Sequence, residues 1–372
     1  MHIVFTGGGT AGHINPALAV AGHLAANDKD VKISYIGKKG GLEERLVAAA
    51  GYDFYPISVA GFRRSLSPFA IIHNISALFK AITASFKAKR LLKKLSPDIV
   101  MGTGGYVSGP VVRAAAKLGI KTVIHEQNAF PGVTTKMLVP LVDKVMLAMP
   151  EAQPRLELRD EPVITGNPVR GELKKRKRHT ARIRLGLGDK PMILSFGGSL
   201  GAEPINRAME SLMEENAKTG KYSIIHAAGK ADYETMKKRL EHKGVKPDIS
   251  CNRLLEYIDD MATYMAAADL VVCRAGAITL SEIQCCGKAS ILIPSPYVAE
   301  NHQYHNAMSL KNREAAEVLE EKNLSAKALS DLIDSIMNDP GRLNKMQKNA
   351  KQSAIADSCE RIAEVIYSVL KK

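Results

Sequence analysis

Ile3-Val4-Phe5-Thr6-Gly7-Gly8-Gly9-Thr10-Ala11-Gly12-His13 passes from β-branched and aromatic residues into glycines, and an apolar-periodic segment follows from Pro16. This order predicts a strand, a loop and a helix. Glycines let a backbone approach a bulky anion, and the first turn of a helix offers unpaired N–H groups at the positive end of its dipole. Phosphate is the natural guest. The spacing matches neither the G-x-G-x-x-G dinucleotide fingerprint nor the G-K-[ST] ending of a P-loop, so the stretch alone does not name a ligand. Its recurrence says more. Met192-Ile193-Leu194-Ser195-Phe196-Gly197-Gly198-Ser199-Leu200-Gly201-Ala202 repeats the grammar, with Pro204 again where a helix would start. Two such openings predict two Rossmann-like halves in tandem.

The 372 residues exceed what one core usually holds and suit two α/β domains. Lys and Arg number 52 against 38 Asp and Glu, a formal charge of +14 that would attract phosphates, anionic lipid or nucleic acid. Cys251, Cys273, Cys285, Cys286 and Cys359 are odd in number and lack C-x-x-C spacing, which fits a reducing compartment. No signal-peptide pattern precedes the first strand, and no apolar run approaches the roughly 18 residues of a spanning helix. The expectation is a soluble or peripheral protein.

Further strands are expected at Val31–Ile36, Phe54–Val59, Asp98–Gly102, Thr122–His125, Val145–Ala148 and Val163–Thr165, then at Met192–Phe196, Ser223–Ala227, Leu270–Cys273 and Ser290–Ile293. Helical patterns separate most of them, which builds parallel sheets with ligands at the carboxyl ends of the strands. Those ends carry Thr103-Gly104-Gly105-Tyr106-Val107-Ser108-Gly109, Glu126-Gln127-Asn128 and Arg274-Ala275-Gly276-Ala277-Ile278-Thr279-Leu280-Ser281-Glu282. Thr279 and Glu282 share a helical face, suited either to a sugar diol or to helix capping. The run Lys174-Lys175-Arg176-Lys177-Arg178 lacks aromatic interleaving and reads as a solvated linker rather than a nucleic-acid patch. Asp28-Lys29-Asp30 is the only Asp-x-Asp and falls at the wrong sheet edge for a ligand, so it reads as a surface turn.

With these residues laid out, the chain resembles, nearly end to end, the inverting glycosyltransferases of GT-B fold that add N-acetylglucosamine to lipid I to make lipid II in bacterial peptidoglycan synthesis. The motifs are Gly8-Gly9-Thr10-Ala11-Gly12-His13, Gly104 to Pro110, His125-Glu126-Gln127-Asn128, Gly166-Asn167-Pro168-Val169-Arg170, Gly197 to Ala202, Tyr257-Ile258-Asp259-Asp260-Met261, Cys273 to Ala277 and His302-Gln303. Ala11 stands where a second glycine is usual and Leu200 where glutamine is usual.

The resemblance implies two Rossmann-like domains whose parallel sheets face across a cleft: residues 1–165 for the lipid-linked acceptor, 166–345 for UDP-N-acetylglucosamine, and a C-terminal helix, 346–372, that caps either. It implies that Ser199 and its loop face the diphosphate with Arg170 as counter-charge. Ile258 would contact uracil through its backbone, Thr279 the phosphate, Glu282 the ribose and Gln303 the sugar, with Ala277 and Ile278 also among the substrate-binding residues. Thr10, Ala11, Gly12, His13 and Asn128 would line the acceptor side. An acceptor hydroxyl, here C4 of the N-acetylmuramoyl unit, must displace UDP in line, which needs a base on one side and positive charge on the other. His13, directly after a glycine loop, is the candidate base; a capping or structural histidine is the other reading. No metal or cofactor is implied, and no nucleic acid.

A lipid-linked acceptor also implies a peripheral protein at the cytoplasmic face of the cell membrane, held on an anionic surface. The candidate stretch is 63–94, where Ile71, Ile75, Leu78, Phe79, Ile82 and Phe86 recur at helical spacing with Lys80, Lys87, Lys89, Arg90, Lys93 and Lys94 among or beyond them. Periodicity allows the same stripe to be core. Three rivals stand beside the transferase. They are a UDP-N-acetylglucosamine epimerase, a nicotinamide-dependent dehydrogenase and a non-catalytic binder of anionic surfaces. The dehydrogenase is disfavoured because Gly37-Lys38-Lys39 stands where an acidic residue should end the second strand.

Overall fold

The computed structural model describes residues 1–61, 83–169, 171–198, 200–246, 248–249 and 251–371. The chain divides into two compact units, Met1–Pro168 with Ile355–Lys372, and Val169–Ala354.

The first unit is built on seven strands: β1 His2–Thr6, β2 Lys32–Lys38, β3 Asp53–Ile57, β4 Ile99–Gly102, β5 Lys121–Glu126, β6 Lys144–Leu147 and β7 Val163–Ile164. All pair in parallel, in the order β3-β2-β1-β4-β5-β6-β7. A parallel sheet is covered on both faces, so its strands read as unbroken apolar runs rather than alternating ones. Alternation instead divides them between two cores. Val4, Ile36, Val100, Ile124 and Leu147 share one face with Ala84, Ala88 and Leu92 of a helix over 83–95 and with Val107, Val111 and Val112 of the helix Gly105–Lys117. Ile3, Phe5, Tyr35, Met101, Val123 and Met146 share the other with the helix Ala11–Asn27 and with Ile362, Ile366 and Val369. Those last three, at helical spacing, belong to the helix Ser358–Leu370, so the end of the chain closes the core of the first unit.

The second unit carries β8 Met192–Phe196, β9 Ser223–Ala227, β10 Asp248–Ile249, β11 Asn252–Leu255, β12 Leu270–Cys273, β13 Ala289–Leu292 and β14 Ala316–Val318, in the order β10-β11-β9-β8-β12-β13-β14. Among the described strands only β10 runs antiparallel to its neighbour. Ile193, Ile224, Leu254, Val272 and Ile291 form its core with Met209 and Met213 of the helix Glu203–Thr219 and with Leu329, Ile333 and Ile336 of Ala326–Met337. In each sheet the first strand is central and the chain leaves it on both sides, which opens a crevice beyond β1 and β4 and another beyond β8 and β12.

Most expected strands occur within a few residues of their expected bounds. β10, β11 and β14 are additions; β11 is masked in the sequence because Asn252 is polar yet buried, its side chain bonded to Asn216 and to Met213 O. The single C-terminal helix expected over 346–372 is two helices, Pro340–Gln352 in the second unit and Ser358–Leu370 in the first. The basic run lies in the second unit, beyond the junction of Pro168 with Val169, and is partly ion-paired rather than wholly solvated. Arg176 faces Asp260 at 3.9 Å and Arg178 meets Asp269 at 2.7 Å. Asp28 and Asp30 form a turn, with Asp30 N–H donating to Asp28 Oδ1, at the sheet edge away from the glycine loops.

Candidate functional sites

In the first unit the crevice beyond β1 and β4 is made by two loops locked face to face. Gly8 N–H donates to Gly104 O at 3.4 Å, and Thr103 Oγ1 donates to His13 O at 2.6 Å. Gly105 has φ +75°, and a methyl group there would run into Gly8 O, so the approach is open to glycine alone. The helix Ala11–Asn27 begins in this crevice. Thr10 is its N-cap without a side-chain bond, and its first turn holds no acidic residue. Thr10 and Gly12 are exposed and Ala11 half-buried. The N–H groups of Ala11 and Gly12 therefore head a free positive helix end. Ala11 is the first helical residue, where φ is negative, so it costs the loop nothing that glycine would have saved.

His13 sits on the first turn with Nδ1 3.0 Å from Gln127 Oε1 and 3.1 Å from Thr103 O. Its Nε2 has no partner among the described residues. The capping reading fails, because the imidazole bonds across to the loop after β4 and to the end of β5 rather than to its own helix.

The segment His125-Glu126-Gln127-Asn128 divides by strand alternation. Glu126 turns one way and staples the following loop: Oε1 accepts from Asn128 N and Nδ2, each at 3.0 Å, and Oε2 accepts from Gly132 N at 3.0 Å and Thr135 Oγ1 at 2.5 Å. This holds Asn128 in place. His125 and Gln127 turn the other way and are buried at 1% and 2% exposure. Burial pushes the His125 pKa down, against the opposing effects of its bond to Gly166 O and of Glu126. Neither His125 nor Gln127 stood among the sequence candidates; the signal was their i, i+2 spacing at a strand end.

In the second unit the corresponding crevice lies beyond β8 and β12. Gly201, with φ +81°, packs its backbone against Ala228 O and Gly229, and side chains at either glycine would collide. Behind them His226 Nε2 donates to Asn206 Oδ1 at 3.1 Å, and Asn206 Nδ2 donates to Ala228 O at 2.9 Å and Asp232 Oδ2 at 3.0 Å. Ser195 Oγ donates to His226 Nδ1 at 3.1 Å. This imidazole is enclosed, and burial pushes its pKa down to about 4. The helix Glu203–Thr219 starts beyond the loop, again without a side-chain cap. Leu200 is 81% exposed and takes no part in the core. Ser199 and Arg170 lie outside the described residues.

Ile258 is buried in the loop after β11. That loop is tied down by Asp260, which caps the helix Met261–Ala267 through Thr263 N and Oγ1 and pairs with Arg176 and, at 3.3 Å, with Arg184. These bonds and charges hold the Asp260 carboxyl below its ordinary pKa, the Thr263 hydrogen bond foremost. After β12 the helix Ala277–Cys286 has Gly276 as N-cap. The sequence pattern allows Thr279 and Glu282 a capping role. With Gly276 as the cap, they lie inside the helix and form no capping pair. Ala277, Ile278 and Thr279 make up the first turn of this helix, with no acidic residue among them. Gln303 lies in the first turn of the helix His302–Lys311, and its Oε1 accepts from Ser295 N at 2.9 Å. Asn301 and Glu300 just before it have φ +48° and +53°, a left-handed pair that non-glycine residues rarely adopt.

The second-unit candidates that are described, Ile258, Ala277, Ile278, Thr279, Glu282 and Gln303, thus all lie on segments that follow β11, β12 and β13. Thr10, Ala11, Gly12, His13 and Asn128 all lie beyond β1 and β5. Among the described residues no group of three or more His, Cys, Asp or Glu is disposed to hold a metal ion, and no helix is long and apolar enough to cross a membrane.

Residues 3–147 match the glycosyltransferase family 28 N-terminal domain, and residues 192–362 match the family 28 C-terminal domain. The UDP-N-acetylglucosamine--N-acetylmuramyl-(pentapeptide) pyrophosphoryl-undecaprenol N-acetylglucosamine transferase of Acetivibrio thermocellus is 44% identical over 373 residues, covering 100% of this chain and 99% of its own. The protein of the same name from Caldanaerobacter subterraneus is 40% identical over 370 residues, covering 99% and 100%. The crystal structure of Acinetobacter baumannii MurG superposes with a TM-score of 0.80 at 30% identity and covers 99% of both chains.

Proposed function

The chain belongs to glycosyltransferase family 28, within its UDP-N-acetylglucosamine--N-acetylmuramyl-(pentapeptide) pyrophosphoryl-undecaprenol N-acetylglucosamine transferases, and from that premise we propose how its two units divide the reaction. The protein has the GT-B fold and transfers N-acetylglucosamine from UDP-N-acetylglucosamine to lipid I, giving lipid II. In our reading the second unit binds the donor and the first unit binds the acceptor. The carrying observation is an asymmetry between two crevices of one design. The first presents an imidazole nitrogen without a described partner, whereas the histidine behind the second is enclosed and bonded at both nitrogens.

His13 Nε2 takes the proton from the C4 hydroxyl of the N-acetylmuramoyl unit as the oxygen attacks the anomeric carbon from the face opposite UDP, which inverts that centre. Thr10, the N–H groups of Ala11 and Gly12, and Asn128 hold the acceptor, whose pyrophosphate suits a free helix end. On the donor side the leaving diphosphate is met by the loop carrying Ser199, by Arg170 and by the helix ends at Ala277 to Thr279. Glu282 takes the ribose diol, Ile258 the uracil and Gln303 the sugar.

An assay with labelled UDP-N-acetylglucosamine tests the reading. Label should enter lipid only when lipid I is present, and without lipid I the donor should stay unchanged. Epimerised donor in the absence of lipid would favour the epimerase.

We also place the protein on an anionic membrane surface through its first unit. Phe86 is 72% exposed, so it is no core residue, and Lys87, Lys89, Arg90, Lys93 and Lys94 are exposed on the same helix. Ile71, Ile75, Leu78, Phe79, Ile82 and Lys80 lie outside the described residues. An exposed aromatic among lysines suits a headgroup boundary, and a lipid-linked acceptor requires one.

A further inference from the structure

The order of hydrogen bonds behind His13 leaves no choice of proton positions. Gln127 Nε2 donates to His125 O at 2.9 Å, and a carbonyl can only accept, so the amide is oriented with Oε1 towards His13. Oε1 also can only accept, as can Thr103 O at 3.1 Å, so the proton of His13 belongs on Nδ1. Behind them His125 Nε2 donates to Gly166 O at 2.9 Å, which leaves His125 Nδ1 to accept from Gln127 Nε2 at 3.0 Å. Each member of the chain is fixed by a backbone carbonyl at one end or the other.

We propose that Gln127, oriented by His125, is a positioning residue that holds His13 in the tautomer whose Nε2 carries the lone pair. This rests on the reading of His13 as the base. Which nitrogen of an imidazole is free is set by the partner of the other, and a base must present the free one to the acceptor. The same device explains Gly166-Asn167-Pro168, which the transfer reaction by itself does not call on. Asn167 Nδ2 donates to Gln127 O at 3.2 Å, and Gly166, at φ +71°, turns its carbonyl to His125 while packed against Ile355 and Ser358. The return of the chain to the first unit thereby buttresses the relay. His125, kept neutral by burial, serves as a fixed donor and acceptor rather than a charge.

The test is a pH profile. Among the described residues the ionisable groups on elements packed around His13 are Tyr35, whose hydroxyl donates to Gly7 O, Glu43 beside Gly8, Tyr106 beside Gly9, and His125 and Glu126 on β5. All stay in place in Gln127→Glu, which sets a carboxylate against Nδ1–H. The acidic limb of kcat/KM should move up by about one to three pH units, since an opposite charge at this range favours the imidazolium. Gln127→Leu, which cannot accept, should lower kcat about ten- to hundredfold with KM for UDP-N-acetylglucosamine unchanged. An unmoved limb in Gln127→Glu, in a protein that His13→Ala inactivates, would overturn the proposal while sparing the base. Full turnover in His13→Ala would instead remove the base itself. Should the variants fold poorly, nitrogen NMR of histidine-labelled parent protein reads the tautomer directly: Nδ1–H is expected for His13, and Nε2–H would refute the relay.

Discussion

His226 makes the second unit acid-labile by an amount that can be worked out. Its pKa is about 4 in the folded chain because burial penalises the cation, against 6.5 in an unfolded one. Between those values the unfolded chain binds the extra proton, so stability rises with pH across the window, is complete above 6.5 and is lost as pH falls towards 4. At about 1.4 kcal/mol per pH unit, integration gives a loss of about 2 kcal/mol by pH 5 and about 3 kcal/mol by pH 4. Burial is the cause, and the neighbouring Ser195 backbone and Asp232 charge only partly oppose it. The comparison is between parent and His226→Met, by urea denaturation at intervals from pH 7 to pH 4. The variant starts less stable because Asn206 and Ser195 lose a partner, but this source of pH dependence is gone. The two stabilities should therefore converge as pH falls, carboxylate titration being common to both. Parallel lines across the window would show that His226 is not the buried neutral group described, and the reasoning would fail.

The remaining expectations follow from single contacts. Glu282→Ala should weaken UDP binding ten- to hundredfold, the loss of a charge-assisted hydrogen bond of about 1.5 to 3 kcal/mol, and unchanged calorimetric affinity would take Glu282 out of the donor site. His13→Ala should lower turnover by about 10² to 10⁴ with UDP affinity intact, whereas a small loss would move the base elsewhere. Gly105→Ala combines about 1 to 2 kcal/mol of left-handed strain with a collision at Gly8 O, and should cost turnover and first-unit stability without changing UDP affinity; parent-like melting would contradict the locked loops. Lys87, Lys89 and Lys94 changed together to glutamate should release the protein from anionic vesicles, each lysine contributing about 1 kcal/mol. Full sedimentation of that variant at low and high salt would exclude this helix as the anchor.

Strands buried on both faces appear in the chain as short apolar runs, and glycine loops announce the ligand ends, so β1 with its loop, β8 with its loop and the division into two α/β units were legible in local pattern alone. The motifs around them carried the family. What local pattern lacks is the identity of partners distant along the chain. Asn252 reads as polar and therefore as loop, yet bonds to Asn216 and Met213 O make it a buried strand residue. The last helix is amphipathic in sequence, but only the packing of Ile362, Ile366 and Val369 assigns it to the first unit. Thr279 and Glu282 matched a capping pattern until Gly276 took the cap. His125, Gln127 and His13 stand more than a hundred residues apart in part, and become a directed chain because the order β1-β4-β5 brings a helix start beside a strand end. Hydrogen bonds have direction and need angstrom-scale placement, and that placement belongs to the folded sheet rather than to the composition of any one stretch.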